Sequence, residues 1–262
     1  MIRLINLLNK LGFGRGKLKV FNSNILNHYM KQNNIESIEH NYYGNKFMLF
    51  PLDNATDNKI IISSKKYEKE ELNLLKNLKK NNNSTFLDIG ANMGYYSIMS
   101  SNYGFKKIYA FEPVPKMVNR ARYHIKINKL ENLIEVIPCA IGEKSSEVFL
   151  YEEPTNYGGS SLFQSNQRTK KIIVKMITLN EFISKKSIKN IDALKIDVEG
   201  YEDRVLMPFF TNNHISIFPK LVIIEHSSSK EWDKDVIDWM LKNGYYLELK
   251  TRGNTILKLN IQ

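Results

Sequence analysis

The run Phe86-Leu87-Asp88-Ile89-Gly90-Ala91-Asn92-Met93-Gly94 permits few folds. Its apolar first half suits a strand buried on both faces. Gly90 and Gly94 let the backbone turn sharply and come close to a ligand. Tyr95-Tyr96-Ser97-Ile98-Met99 continues as a helix start. A strand, a glycine turn and a helix N-terminus together make a cradle for a nucleotide-type cofactor. A second strand, Ile108-Tyr109-Ala110-Phe111, ends in Glu112, 24 residues after Asp88. An acid at about that distance is placed to bind ribose hydroxyls.

The spacing is not that of a dinucleotide site. G-x-G-x-x-G would require glycine at 90, 92 and 95, where the chain has Gly90, Asn92 and Tyr95. Asp88 would also repel a nearby pyrophosphate. An acidic turn better suits a cofactor with a cation, and S-adenosylmethionine offers a sulfonium and no phosphate. A methyl donor is therefore expected in preference to NAD.

Alternating strands and helices follow. Strands are predicted near 86–89, 108–111, 134–138, 193–197, 221–225, 245–249 and 255–259, with helices near 95–102, 115–128, 179–185, 201–210 and 231–242. This order predicts a doubly wound α/β sheet. The short Thr251-Arg252-Gly253-Asn254 loop predicts a terminal hairpin with an antiparallel edge strand. Val148–Tyr151 and Ile172–Ile177 are predicted as two extra strands around the loop Tyr157-Gly158-Gly159-Ser160-Ser161, which is expected to cover the acceptor. Ahead of the cradle, Lys46–Pro51 and Lys59–Ser63 read as short strands and Tyr67–Leu78 as a helix. The expected division is an extension over 1–66 and a cofactor-binding domain over 67–262.

Four acids fall at the ends of apolar strands, where open α/β sheets bind ligands: Asp88, Glu112, Asp197 and Glu225. Cys139 and Ala140 follow the third strand and are candidates for edging an adenine. Asp197 is the strongest candidate for chemistry, and Glu202 also reads as an acid favoured at a helix start. Because an imidazole can exchange a proton at physiological pH, His226 is a candidate general base, as is Asp197, with Glu199 or Glu225 positioning the substrate. Asp197, Glu225 and His226 are equally a candidate set for a divalent metal.

Composition narrows the setting. The chain has one cysteine, Cys139, which excludes an internal disulfide framework and suits a reducing cytoplasm. Neither a signal peptide nor an apolar run of membrane-spanning length is recognisable. The net charge of +11 is uneven: residues 1–80 carry 14 Lys and Arg against 7 Asp and Glu. No nucleic-acid motif accompanies that excess, so nucleic acid is not the expected partner. Met1–Leu11 is amphipathic, and residues 1–19 read as a candidate membrane-surface or dimer contact.

Taken together, Tyr67-Glu68, the run from Phe86 to Ser97, Ala110-Phe111-Glu112-Pro113-Val114-Pro115 and Lys195-Ile196-Asp197-Val198-Glu199-Gly200-Tyr201-Glu202 resemble the FkbM-type S-adenosylmethionine-dependent methyltransferases in order and spacing. The resemblance implies a Rossmann-like seven-stranded methyltransferase sheet and O-methylation, commonly of sugar hydroxyls or natural products. It implies Asp88, Gly90, Asn92 and Gly94 around the methionine part of the cofactor, Glu112 on the ribose and Asp197 beside the methyl group. Glu68, Ala91, Tyr95, Tyr96, Ser97 and Pro113 lie in the same motifs and are implied as further cofactor contacts. The family often has Leu-Asp where this chain has Leu179-Asn180, and Asn180 is expected to cap a helix instead. Two rival readings remain: N-methylation of a macromolecule, and a cofactor-binding scaffold or sensor without catalysis.

Overall fold

A computed structural model of the protein describes residues 17–63, 65–80 and 82–260. The amphipathic segment Met1–Leu11 lies outside them. The chain begins with α1 (Lys17–Gln32), the hairpin β1 (Ile38–Tyr42) and β2 (Asn45–Leu49), then α2 (Ala55–Ile62) and α3 (Lys69–Asn77). The cradle strand β3 (Thr85–Ile89) leads through the short α4 (Tyr95–Met99) to β4 (Lys107–Phe111), α5 (Pro115–Ile127) and β5 (Ile134–Ile137). Next come β6 (Ala140–Gly142), β7 (Ser146–Glu152), β8 (Lys170–Thr178), α6 (Leu179–Lys185), β9 (Ala193–Ile196) and α7 (Glu202–Thr211). The chain closes with β10 (Leu221–Glu225), α8 (Val236–Lys242), β11 (Tyr245–Lys250) and β12 (Asn254–Leu259).

Seven strands form one sheet in the order β11-β12-β10-β9-β3-β4-β5. Its interior pairs, β10/β9, β9/β3, β3/β4 and β4/β5, are parallel. The β11–β12 hairpin supplies the antiparallel edge. The sheet is thus the predicted doubly wound Rossmann-like arrangement with an antiparallel edge hairpin. The chain reverses its winding direction between β3 and β9, and the crevice at such a point is where these sheets bind ligands. The extra strands add a second sheet, β6-β8-β7.

Every residue of β3 is buried, because side chains alternate into a core on each side. Phe86 joins Ile108, Ile223 and Ile256 on one face; Leu87 and Ile89 join Leu194, Val222 and Leu257 on the other. Phe182, Phe209, Phe210 and Met240 cover the second face. The first is covered by Leu26, Met30, Phe47, Leu49 and Ile60, so packing runs without a break across residue 66.

Two expectations fail for local reasons. Lys59–Ser63 is not a strand but the end of α2, which begins where Asn54 Oδ1 accepts from the backbone N–H groups of Thr56 and Asp57. Ile60, Ile61 and Ile62 are all buried, and a wholly apolar run carries no period to separate helix from strand. Asn180 does not cap α6; the Thr178 hydroxyl does, accepting from Glu181 N, while Asn180 sits inside the first turn and donates to Pro208 O.

Phe47 is 1% exposed. Phe47→Ala is expected to cost about 3–5 kcal/mol. In urea unfolding followed by both far-ultraviolet circular dichroism and tryptophan fluorescence, both signals should shift in a single transition. An extension folding by itself would give two.

Candidate functional site

The site grows from the crossing of three strand ends. Asp197 N donates to Ile89 O at 3.0 Å, and Gly90 N and Ala91 N both donate to Phe111 O at 3.0 and 2.9 Å. This pulls the turn after β3 hard against the end of β9. Gly90 has φ +74, and a Cβ there would lie 1.8 Å from the Asp197 carbonyl oxygen. Only glycine fits.

Asn92 also adopts the left-handed conformation, at φ 54. Its N–H donates to Glu112 Oε2 at 2.8 Å, while Val114 N donates to Glu112 Oε1, also at 2.8 Å. The carboxyl group is thereby fixed, with lone pairs left over. Burial pushes its pKa up to about 7, against the pull of those two N–H groups and of Lys195.

A cleft of about 860 Å³, open to solvent, lies over these strand ends. Of the residues named from sequence, Glu68, Gly90, Ala91, Asn92, Tyr95, Tyr96, Glu112, Pro113, Cys139, Ala140, Asp197 and Glu199 line it. Tyr157, Gly158 and Ser160 of the expected acceptor loop line it too.

Asp88, Gly94 and Ser97 do not. Asp88 is completely buried under the turn, where its Oδ2 accepts from Ser97 N at 3.0 Å and Ser97 Oγ at 2.6 Å. The acid steadies the first turn of α4 rather than facing the cleft, and burial raises its pKa. Gly94 is the left-handed residue before that helix. The parity of β3 explains the error: Asp88 points to the Phe86 side of the sheet, and the turn that follows redirects only the backbone to the cleft.

Lys195 is the only Lys or Arg lining the cleft among the described residues. Its Nζ lies 3.2 Å from Gly90 O and 3.3 Å from Asp197 Oδ2. Burial opposes its charge, but Asp197, Asp88 and Glu68 outweigh that and hold its pKa above the ordinary value. Glu199, at φ 56, has its pKa raised to about 8 by burial and by the charges of Asp197 and Glu225, against Arg168, 3.6 Å away. Glu68 also has a raised pKa from burial.

His226 is not brought to this cleft. Its Nδ1 meets Thr255 Oγ1 at 2.9 Å, and the ring lines a different groove beside Trp232 and Leu247. The strand-end hydrogen bond from His226 N to Gly253 O turns the residue toward the hairpin loop. The expected metal set changes accordingly. Asp197, Glu225 and Glu202 present carboxylate oxygens within 4.8 Å of one another, and His226 is not among them. Glu202 opens α7 as expected, but it is fully buried and also accepts from Trp232 Nε1 at 2.7 Å and Val198 N at 2.9 Å. Sequence reasoning missed Ile141 and Leu150, which close the cleft from the β6-β8-β7 side. Apolar residues in short strands carry no signal that separates a cleft wall from core.

The fold and cleft define a doubly wound α/β protein with an acid-lined cleft at its switch point. The chain belongs to the methyltransferase FkbM domain family, whose model matches residues 88–247. It is similar to the crystal structure of methyltransferase FkbM from Methylobacillus flagellatus KT, at 17% identity and TM-score 0.46, over 70% of this chain and 45% of that one. It is also similar to a putative caffeoyl-CoA O-methyltransferase from Staphylococcus aureus, at 15% identity and TM-score 0.45, over 74% of this chain and 85% of that one. A 61-residue stretch is 38% identical to protein arginine N-methyltransferase PRMT10 of Arabidopsis thaliana, covering 23% of this chain and 16% of that protein. The chain thus spans less than half the length of the first of these structures and about a sixth of the curated relative. Among the described residues no helix is long and apolar enough to cross a membrane.

Gly90→Ala should destabilise the protein by about 2–4 kcal/mol, combining overpacking with left-handed strain. Thermal unfolding checks this; an unshifted melting temperature would contradict the close approach.

Proposed function

We propose that the cleft binds S-adenosylmethionine and that the protein transfers its methyl group to a hydroxyl of a sugar, glycan or small natural product. The observation that carries this is Glu112: a buried acid at the end of β4, held on two backbone N–H groups, with free lone pairs in the cleft. Such a group suits the two hydroxyls of a ribose. The rest of the lining fits the same molecule. Gly90 lets backbone approach, Cys139 and Ala140 offer an edge for adenine, and Glu68, Asp197 and Glu199 against one Lys195 suit a cationic ligand.

When bound, S-adenosylmethionine supplies a methyl carbon on a positively charged sulfur, a good leaving group. The protein's task is then alignment and proton removal. Asp197 is the proposed proton acceptor for the substrate hydroxyl, with its carboxylate paired to Lys195. Glu199, whose raised pKa keeps it largely protonated at neutral pH, is proposed to hold the acceptor by donating a hydrogen bond. The Tyr157–Ser160 loop is proposed as the acceptor's other wall. A hydroxyl acceptor needs a base, whereas a cofactor-binding scaffold does not.

Calorimetry with S-adenosylmethionine, followed by incubation with labelled donor and candidate glycans, tests this reading. Label incorporated only into protein or RNA would overturn the hydroxyl assignment. Glu112→Gln should weaken donor binding about 10–100-fold, as expected for hydrogen bonds to a charged group.

Donor affinity should also rise as pH climbs through about 7. Below that value Glu112 is protonated and a weaker acceptor; above it both oxygens accept fully. The rise should vanish in Glu112→Gln. With an acceptor in hand, Asp197→Asn should lower kcat by about 10²–10⁴-fold. A kcat within a few-fold of normal would exclude Asp197 as the base.

A further inference from the structure

Asn54 lies ahead of the family-matched residues 88–247, yet it touches the cofactor turn. Its side chain is 1% exposed. Its Oδ1 accepts from Thr56 N at 2.9 Å and Asp57 N at 3.3 Å. Two N–H donors on that oxygen fix which end of the amide is which, so Nδ2 must face the other way. There it donates to Asn92 Oδ1 at 2.7 Å, with Met117 Sδ 3.3 Å away.

Asn92 is the left-handed residue whose N–H holds Glu112. Asparagine tolerates that conformation better than most residues, but nothing in its own backbone selects it. The buried amide of Asn54 does so from outside the turn. The loop over the cleft presses from the other side: a Cβ on Gly158 would come 2.5 Å from Asn92 Nδ2. The same segment also ties that loop down. Tyr157 N donates to Asp53 O at 2.9 Å, and Ala55 N donates to Asn156 Oδ1 at 3.0 Å. The Asp53 carboxylate is in turn gripped by Arg120 and Lys116 at 2.7–2.8 Å.

We infer that Asn54 is a positioning residue for the methyl donor: its amide nitrogen holds Asn92, and through it Glu112, in the arrangement that receives the ribose. The segment before the family-matched region is therefore part of the donor site, acting at one remove. The inference rests on the cleft being the donor site.

Asn54→Asp and Asn54→Ser separate this role from the helix cap. Both keep an oxygen that caps α2 and remove the nitrogen that reaches Asn92. In calorimetry of the full chain with S-adenosylhomocysteine, each should bind about tenfold or more weaker than the wild type, since a buried partner is left unpaired. Melting temperatures should fall by about 2–10 °C, the cost of one unpaired buried group, with the helix cap kept. In an Asn92→Ala background, Asn54→Ser should cause no further loss, because its partner is already gone. Wild-type affinity in both capped variants, or full additivity with Asn92→Ala, overturns the inference alone. A wild-type protein that binds no S-adenosylhomocysteine overturns the donor site and the inference with it. Should both capped variants fail to fold, Asn92→Ala decides: it removes the same contact without touching α2, and undiminished binding there refutes the role of Asn54.

Discussion

The contact between the Gly90 turn and the Asp197 carbonyl organises this molecule. Strands β3 and β9 are neighbours only because the chain reverses its winding there, and their ends can cross only if residue 90 has no side chain. That crossing brings the backbone of 90–92, the acid at 112 and the 195–199 turn around one space. The two cores above and below the sheet make the crossing rigid. Without it the acids at these strand ends would be separate surface charges with nothing in common.

Once assembled, those acids do not behave alike. Glu112 and Glu199 are pushed toward and above neutrality because burial costs their charged forms more than their neighbours repay. Lys195 moves the other way because three acids surround it. A site with neutral and charged carboxyl groups side by side has both hydrogen-bond donors and acceptors available. Such an arrangement suits a reaction in which a cation is bound and a proton is removed a short distance away.

The segment before β3 has two duties that follow from one placement. Phe47, Leu49 and Ile60 cover one face of the sheet, and the turn at Asp53-Asn54 that joins them lands on the cofactor turn. His124, fully buried, links the two regions again: Nδ1 meets Met93 O at 2.9 Å and Nε2 meets Met48 N at 3.0 Å. A division drawn on motifs alone assigns this segment to an extension, because its contribution is made through packing and single hydrogen bonds.

Much of the design is local and therefore legible in the sequence. The alternation of apolar strands and helices, the glycine turn and the acids at strand ends depend on period, on sterics and on spacing along the chain. They determined the sheet, its antiparallel edge and the position of the cleft at the ends of β3, β4 and β9. Glu112 and Asp197 stand out in the sequence because each follows directly on a strand, and Asn92 because it lies in the glycine turn after β3. Only the tertiary structure decided where side chains near those ends point. Asp88 turns beneath the cradle by the parity of its strand, His226 is drawn to the Thr255 hydroxyl, and Glu202 rather than His226 joins Asp197 and Glu225. Asn54 reaches Asn92 across 38 residues. A meeting between residues so far apart depends on how the elements pack, and no pattern along the chain encodes it.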